Sequence, residues 1–163
     1  MKEQVYSEKL INEIKTAALD IITSDSFQEL KKFIQHGKTS TYQHVILVCY
    51  YSLEYVEKHK ITCDRTKLIR GALLHDYYLY DWHNGKIEKW HRFHGFKHAK
   101  IALNNARRDF NISPLEEEII SRHMFPLNIK PPRHKEALIV CYIDKIQSLR
   151  ETNKKYQPPI LID

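Results

Sequence analysis

Residues 45–56, with the sequence VILVCYYSLEYV, decide the fold because they are apolar on nearly every side of a helix. Such a helix lies in the centre of a domain, since a helix at the surface keeps one polar face. Ser40 or Thr41 begins this helix, and the pattern extends to about His59. The stretch therefore predicts a central helix around which the other elements pack.

Helical patterns continue on both sides of this stretch, and only four glycines and six prolines interrupt the chain. Strand-like alternation of polar and apolar residues is hard to find. The clearest helix start is Ser113, followed by Pro114 and then by Glu116 three residues after the cap. An all-α fold is therefore expected. Its other helices cover residues 5–22, 26–35 (ended by Gly37), 64–76 (capped by Asp64), 94–109, 113–123 and 134–151.

Size and composition favour a single domain over residues 1–163. A chain of 163 residues buries about 70% of its unfolded surface without help from disulfides, and no linker or repeat divides it. The three cysteines, Cys49, Cys63 and Cys141, are widely spaced and form no CxxC pair. Neither a disulfide framework nor a thiolate zinc site is expected from them.

The amino terminus and the apolar runs predict a cytoplasmic protein with no membrane partner. Residues 1–4, MKEQ, open directly into charged residues, unlike a signal peptide. The longest apolar run, residues 45–51, is far shorter than the about 20 residues of a membrane-spanning helix.

The net charge of +6 predicts an anionic partner. The basic residues are scattered rather than gathered in one dense stripe, which argues against nucleic acid. A small phosphorylated substrate, such as a nucleotide, is the preferred expectation. Whichever anionic partner binds, ordinary surface lysines account for much of the excess positive charge.

Two polar residues stand in strongly apolar surroundings. Asp144 ends the run ALIVCYID, and His44 shares a helical face with Leu47, Val48 and Tyr51. A bare carboxylate in such a place costs several kcal/mol, so it is paired, hydrogen-bonded or bound to a metal. Taken alone, Asp144 fits a buried ion pair as well as a metal ligand. His44 taken alone fits a satisfied core histidine better than a ligand.

His75 and Asp76 come together at the end of a predicted helix. A carboxylate is disfavoured at the negative end of the helix dipole, so a purely structural role for Asp76 at the helix end is unfavourable. Both side chains could instead turn toward one ion. His94 and His123, at a helix start and a helix end, would each be surface histidines if taken singly. As a set, these nitrogen and oxygen donors without sulfur suit Mn, Fe, Zn, Ni or Mg.

The order His44, His75-Asp76, His94, His123, Asp144 resembles that of the HD-domain metal-dependent phosphohydrolases. Two local strings agree: residues 71–76, GALLHD, are similar to the central motif of the family. Residues 94–102, HGFKHAKIA, are similar to its segment in which a histidine precedes a small-residue helix start. The resemblance covers about residues 40–150. It implies an HD-type helical bundle with a metal site in its centre, on which residues 1–39 pack.

The resemblance also implies the roles of the ligands. His44, His75, Asp76 and Asp144 would hold a first metal. Asp76 would bridge to a second metal bound by His94 and His123, as in the binuclear members of the family. If one ion binds, His94 and His123 would instead face the substrate phosphate. The implied cofactor is one or two divalent ions of Mn, Fe, Ni or Zn, with Mg allowed.

The implied reaction is hydrolysis of a phosphate ester, a monoester or a diester, by a metal-activated hydroxide. Asp76, His98 and Lys145 are the predicted catalytic residues: Asp76 would fix the metals and could orient the water, and His98 could donate a proton to the leaving group or support a metal ligand. Lys97, Arg122 and Lys145 are the predicted phosphate-binding residues. An ordinary solvated side chain explains His98 and these three residues at least as well. The aromatic segment 77–92 could form a lid over a base or sugar, or could simply pack as a loop.

The chain also departs from the family. His75-Asp76 is followed by Tyr77-Tyr78-Leu79 rather than by the Ile-Gly-Lys common in one large subgroup. The Gly-Tyr-Pro signature of the cyclic-di-GMP-cleaving branch is absent after His123. That substrate is therefore disfavoured. Two alternatives stay open: a di-iron oxygenase, which has a very similar ligand order, and a non-catalytic regulatory or nucleic-acid-binding module with a structural metal.

Overall fold

The computed structural model describes residues 5–80, 94–153, 158–159 and 161, and it describes residues 36, 94–96 and 153 by their backbone alone. Helices dominate these residues, which confirms the predicted all-α fold. The helices are α1 (Glu8–Ala17), α2 (Leu19–Ile22), α3 (Asp25–Gln28), α4 (Thr41–Lys58), α5 (Arg65–Leu74), α6 (His94–Asp109), α7 (Pro114–Arg122) and α8 (Lys135–Asn153). A 3-10 turn (Glu29–Lys32) and two short strands, β1 (Ile34–His36) and β2 (Thr39–Ser40), lie between α3 and α4.

Helix α4 is the central helix that its apolar sequence predicted. Every residue from 44 to 50 is buried, and the helix packs against α1, α5 and α8. Ser40 caps its first turn in a capping box, in which the Ser40 hydroxyl accepts from the Gln43 backbone and the Gln43 side chain accepts from the Ser40 backbone. Full burial of each large aliphatic side chain contributes about 1.5–3 kcal/mol, so α4 anchors the core.

The segment before α4 corrects two predictions. The helix expected over 5–22 breaks at Ala18, whose φ and ψ of −137° and 31° are not helical. The helix expected over 26–35 is wrong in its second part, because the chain there makes a 3-10 turn and then β1. Gly37 adopts a φ of +57°, which an L side chain rarely tolerates. With Lys38 it forms the two-residue turn of a hairpin in which β1 pairs antiparallel with β2.

Helices α5 and α7 lie side by side, and each ends at a histidine. Asp64 caps α5 by accepting from the Lys67 backbone, and Ser113 forms a capping box with Glu116 at the start of α7. Both caps confirm the sequence prediction. A Cβ at Gly71 would lie 2.6 Å from Ile119 Cδ1, so only glycine at position 71 allows α5 and α7 to pack this closely. This packing brings the carboxyl ends of the two helices together.

The remaining predictions concern the connecting segments. Helix α6 begins at His94 and ends at Asp109, as predicted. Most of the aromatic segment 77–92 lies outside the described residues; of its described part, Tyr77 and Tyr78 are fully buried. Within the described ranges, the helices lack the length and apolar character needed to cross a bilayer.

Candidate metal centre

Two groups of potential ligands lie side by side in the interior. The first group is His44, His75, Asp76 and Asp144, and the second group is Asp76, His98 and His123. Within each group the ligand atoms all lie within 4.8 Å of one another, and every member is buried. Asp76 belongs to both groups. The arrangement therefore offers two adjoining positions for a cation, joined by one carboxylate.

Five helices supply these side chains. Helix α4 carries His44, α6 carries His98 and α8 carries Asp144, whereas His75 and His123 are the C-terminal caps of α5 and α7. Asp76 follows directly after the cap of α5. The close α5–α7 contact at Gly71 and the central position of α4 thus bring residues far apart in sequence to one point.

In the first group, nitrogen and carboxylate oxygen atoms face one another. The Nε2 atom of His44 lies 3.1 Å from Oδ1 of Asp144 and 3.6 Å from Oδ2 of Asp76. The Nε2 atom of His75 lies 3.4 Å from Oδ2 of Asp76 and 3.6 Å from Oδ1 of Asp144. Four donor atoms of types that bind divalent ions therefore surround one position.

Backbone carbonyls fix the orientation of two of the histidines. The Nδ1–H of His75 donates to the carbonyl of Ala72, and the Nδ1–H of His123 donates to the carbonyl of Ile120, each at 2.7 Å. A carbonyl can only accept, so Nδ1 carries the proton in both rings. The neutral rings therefore point an Nε2 lone pair into the groups, as metal-ligating histidines do.

His44 is oriented by a carboxylate that the sequence analysis missed. Its Nδ1–H donates to Oε2 of Glu151 at 2.9 Å. Glu151 follows Asp144 by seven residues, which places the two on one face of α8, and Ser148 between them donates to Asp144 at 3.4 Å. This helical spacing was the available signal. The apolar pattern that revealed Asp144 does not extend to Glu151, because polar residues surround it in the sequence.

The second group contains His98, for which the sequence predicted a role as proton donor or as support for a metal ligand. The Oδ1 atom of Asp76 lies 3.2 Å from Nε2 of His98 and 3.4 Å from Nε2 of His123. His94, the predicted ligand one helical turn earlier, has its side chain outside the described residues. The structure thus brings His98 beside His123, and the ligand role of His94 stays a prediction.

A glutamine from the hairpin contacts the shared carboxylate, and the sequence analysis missed it too. Gln35 in β1 donates through Nε2 to Oδ2 of Asp76 at 2.6 Å. The amide oxygen of Gln35 accepts from the Tyr78 hydroxyl and, at 3.4 Å, from the Thr41 hydroxyl. The sequence carried no signal for this contact, because it joins residues 41 positions apart.

The three predicted phosphate-binding residues differ in their surroundings. The ammonium group of Lys145 donates to the backbone carbonyls of His123 at 2.9 Å and of Cys141 at 3.2 Å. Arg122 donates to the carbonyl of Pro131 at 2.7 Å, and the side chain of Lys97 is exposed. Their phosphate-binding roles stay predictions, as does the catalytic role of Lys145.

Burial and neighbouring charges shift the pKa values of residues in both groups. Burial alone would lower the pKa of His75, but the carboxylates of Asp76 and Asp144 raise it to about 9. The pKa of His44 is also raised, against the effect of burial, by Glu151 and Asp144. Burial would raise the pKa of Asp76 and of Asp144, but the neighbouring histidines hold both pKa values well below the ordinary range. Burial lowers the pKa of His123.

A bound cation would supply the partner that two buried ligand atoms lack. Within the described chain, His75 Nε2 and Asp76 Oδ1 are fully buried and have no hydrogen-bond partner. Leaving such atoms unsatisfied costs about 1–3 kcal/mol each, and more when they are charged. A divalent ion would satisfy both and would neutralise the clustered carboxylates. The nitrogen and oxygen donors suit a divalent ion, and neither group contains a thiolate.

The comparisons with known proteins identify the fold family. The model of the HD domain matches residues 41–149, which is more than half of the 163 residues. No curated protein and no solved structure matches the chain. The matched segment carries every member of the first and second groups, and it confirms the resemblance inferred from the order of the ligands. The chain belongs to the HD-domain family.

Proposed function

We propose that the protein is a metal-dependent phosphohydrolase that cleaves a phosphate ester of a nucleotide or another small phosphorylated metabolite. The observation that supports this most directly is the position of Asp76, whose two oxygens face two separate groups of buried ligands. HD domains are mostly metal-dependent hydrolases. A bound divalent ion supplies Lewis acidity, which lowers the pKa of water from about 15.7 toward 7 and stabilises charge on phosphoryl oxygens.

The side chains of the first group have a binding role in this proposal. His44, His75 and Asp144 present two nitrogens and one carboxylate, and all three are almost completely buried. Their orientation is set before any ion arrives, because the Nδ1–H groups of both histidines already have acceptors. Such preorganisation removes the cost of reorganising the site during the reaction.

The role of the second group depends on whether one or two ions bind. With two ions, His98, His123 and Asp76 would hold the second ion. With one ion, the same two histidines would face the substrate phosphate, and His98 would donate a proton to the leaving group. Lys145, held at the His123 carbonyl, is our candidate for neutralising phosphate charge near this group.

Metal analysis combined with a substrate panel tests the proposal. The full chain is purified without chelator, its bound metals are quantified, and hydrolysis of phosphomonoesters and phosphodiesters is measured. We expect about one or two ions per chain, and we expect Asp76→Ala to lose both metal and hydrolysis. Asp109→Ala is the matched control: it removes a carboxylate that contacts Tyr77 and Arg108 instead of either group. Hydrolysis that survives Asp76→Ala contradicts the proposed mechanism.

The shared carboxylate also supports a second candidate, a di-iron oxygenase. Two adjoining groups joined by one carboxylate could hold an iron pair as well as two hydrolytic ions. Turnover that requires oxygen, together with a mixed-valent iron signal, would select this candidate. Tight nucleic-acid binding with steep salt dependence and without turnover would instead indicate a non-catalytic module.

A further inference from the structure

Two side chains that contact the first group come from outside the segment that matches the HD domain. That segment spans residues 41–149, whereas Gln35 lies in the hairpin before it and Glu151 in the last turns of α8 after it. Both are buried, with exposed fractions of 6% and 3%. Glu151 bonds Nδ1 of His44, on the side of the ring away from the other ligands. Gln35 bonds Oδ2 of Asp76, the oxygen that also faces His75.

We propose that Gln35 and Glu151 are positioning residues of the metal centre: Glu151 fixes the ring of His44, and Gln35 fixes the carboxylate of Asp76. This inference rests on the metal centre of the proposed function. The two residues make the hairpin and the end of α8 part of the site, although neither belongs to the matched domain segment. They differ from the ligands because neither offers an atom to the ion itself.

The Glu151 contact determines which nitrogen of His44 faces the ligands. A carboxylate accepts and does not donate, so the Nδ1 atom 2.9 Å from Oε2 of Glu151 carries the proton. The Nε2 atom is then left for the first group, where Asp144 lies 3.1 Å away. A carboxylate behind a ligating histidine also makes the ring more basic, and removal of such a partner typically weakens metal binding 10–100-fold.

The Gln35 contact determines how Asp76 is shared. The amide oxygen of Gln35 accepts from two hydroxyl groups, those of Tyr78 and Thr41. The Asp76 carboxylate can only accept, so the NH2 group of Gln35 must face it, and it donates to Oδ2 at 2.6 Å. This bond restrains rotation of the carboxylate, so that Oδ2 stays with the first group and Oδ1 stays 3.2 Å from His98.

The hairpin and the end of α8 also contact each other. A Cβ at Gly37 would lie 3.4 Å from the backbone carbonyl of Glu151, and β1 packs against α8. The hairpin turn therefore rests on the same helical turn that carries Glu151. One packing arrangement consequently places both Gln35 and Glu151 beside the first group.

Cobalt binding to the full chain tests the inference. Chelator-treated protein is titrated with Co²⁺, and the dissociation constant and the visible d–d absorption spectrum of the bound ion are recorded for Glu151→Gln and Gln35→Leu. We expect Kd to rise about 10–100-fold for Glu151→Gln, with an altered spectrum in both variants. A purely structural role would leave the spectrum of the bound ion unchanged.

Two matched controls separate positioning from general damage. Glu136→Gln changes another buried carboxylate of α8, which accepts from the Asp64 backbone at 2.9 Å. Gln28→Leu removes another amide donor, which bonds to the Ile22 carbonyl at 2.6 Å. We expect both controls to keep the wild-type Kd and spectrum, since neither residue contacts a ligand.

The outcomes distinguish this inference from the proposed function. If the wild type binds Co²⁺ and the Glu151 and Gln35 variants match their controls, the inference is wrong and the proposed function stands. If the wild type binds no Co²⁺, both are wrong. Should Glu151→Gln fail to fold, Glu151→Asp keeps the charge but withdraws it by one methylene. A wild-type Kd and spectrum in Glu151→Asp would then overturn the role of Glu151.

Discussion

The imidazole rings of His98 and His123 meet with their Nε2 atoms 2.9 Å apart, although 25 positions separate the two residues in the chain. The Nδ1–H of His123 is already used on a backbone carbonyl, and burial lowers the pKa of this ring. Its neutral form therefore presents a lone pair toward His98. Two imidazoles and the Asp76 carboxylate at one point could hold a metal ion.

We expect His98→Ala to reduce the number of bound ions per chain while the first group keeps its ion. Loss of a ligand should weaken binding at the second group by more than the 10–100-fold typical of outer contacts. Metal content measured by mass spectrometry, after equilibration with excess Mn²⁺, gives the result. His134→Ala is the control, because His134 is exposed and pairs with Glu118. Unchanged metal content in His98→Ala would exclude this residue as a ligand.

Metal affinity should rise with pH up to about pH 9. In the metal-free protein the carboxylates of Asp76 and Asp144 overcome burial and raise the pKa of His75 to about 9, so the ring is protonated below that pH. An ion must displace this proton, since it binds only the neutral ring. Affinity should therefore fall about tenfold per pH unit for each displaced proton as the pH is lowered.

Calorimetry in buffers of different ionisation enthalpy measures this proton release directly. We expect at least one proton to leave per ion bound at pH 7, because the pKa of His44 is raised as well. A metal affinity that is independent of pH between about 6.5 and 9 would show that both rings are already neutral in the metal-free protein.

The metal-free fold should lose stability as the pH rises from about 6.5 to 9. A histidine whose pKa is raised from 6.5 to about 9 on folding stabilises the folded state fully below the lower value. This contribution is lost as the pH rises through the higher value. The lowered pKa values of Asp76 and Asp144 do not change the stability in this pH range. The stability that these two carboxylates contribute is lost only as the pH falls below about 3.8.

Urea unfolding of chelator-treated protein at pH 6.5 and pH 9 measures the free energy of unfolding in this window. We expect His75→Gln to flatten the dependence, because the glutamine does not titrate. Greater stability of the metal-free wild type at pH 9 than at pH 6.5 would contradict the prediction. With metal bound, the trend should reverse, as tighter binding at higher pH stabilises the folded state.

Gly71→Ala should destabilise the protein even though alanine favours helices. The new Cβ would lie 2.6 Å from Ile119 Cδ1 and 2.9 Å from Ile119 Cβ, so α5 and α7 would have to separate. Overpacking of this kind costs about 1–3 kcal/mol, which exceeds the about 1 kcal/mol gained in helix propensity. Urea unfolding of the variant gives the free energy.

The exposed Thr66→Ala on the same helix is the control, and we expect it to be neutral or slightly stabilising. In an Ile119→Ala background, Gly71→Ala should cost less than in the wild type, because two of the three close atoms are gone. Equal costs in the two backgrounds would show that the α5–α7 contact at Gly71 does not limit the packing.

Features that depend on local sequence could be predicted. The apolar run of residues 45–56 indicated the central helix, and the Ser113 capping box fixed the start of α7. The residues of the first group could be identified from the sequence because His44 and Asp144 interrupt apolar runs and His75-Asp76 stands at a helix end. The order of these residues then pointed to the HD-domain family.

Features that depend on contacts between distant residues could not be predicted. The hairpin replaced part of an expected helix, because Gln35 is held by Asp76 and Tyr78 and the Gly37 turn pairs Ile34 with Ser40. Glu151 reaches His44 across 107 positions. Helix α6 has histidines at positions 94 and 98, and spacing alone does not say which of two neighbours on one face joins the second group.

If each group holds an ion, the shared carboxylate of Asp76 links the two binding events thermodynamically. An ion that fixes the carboxylate from the side of His75 also sets the position of the oxygen that faces His98. Occupancy of either group must therefore change the affinity of the other, and by reciprocity the change is the same in both directions. The two positions would fill as one coupled unit, whose saturation curve departs from that of two independent sites.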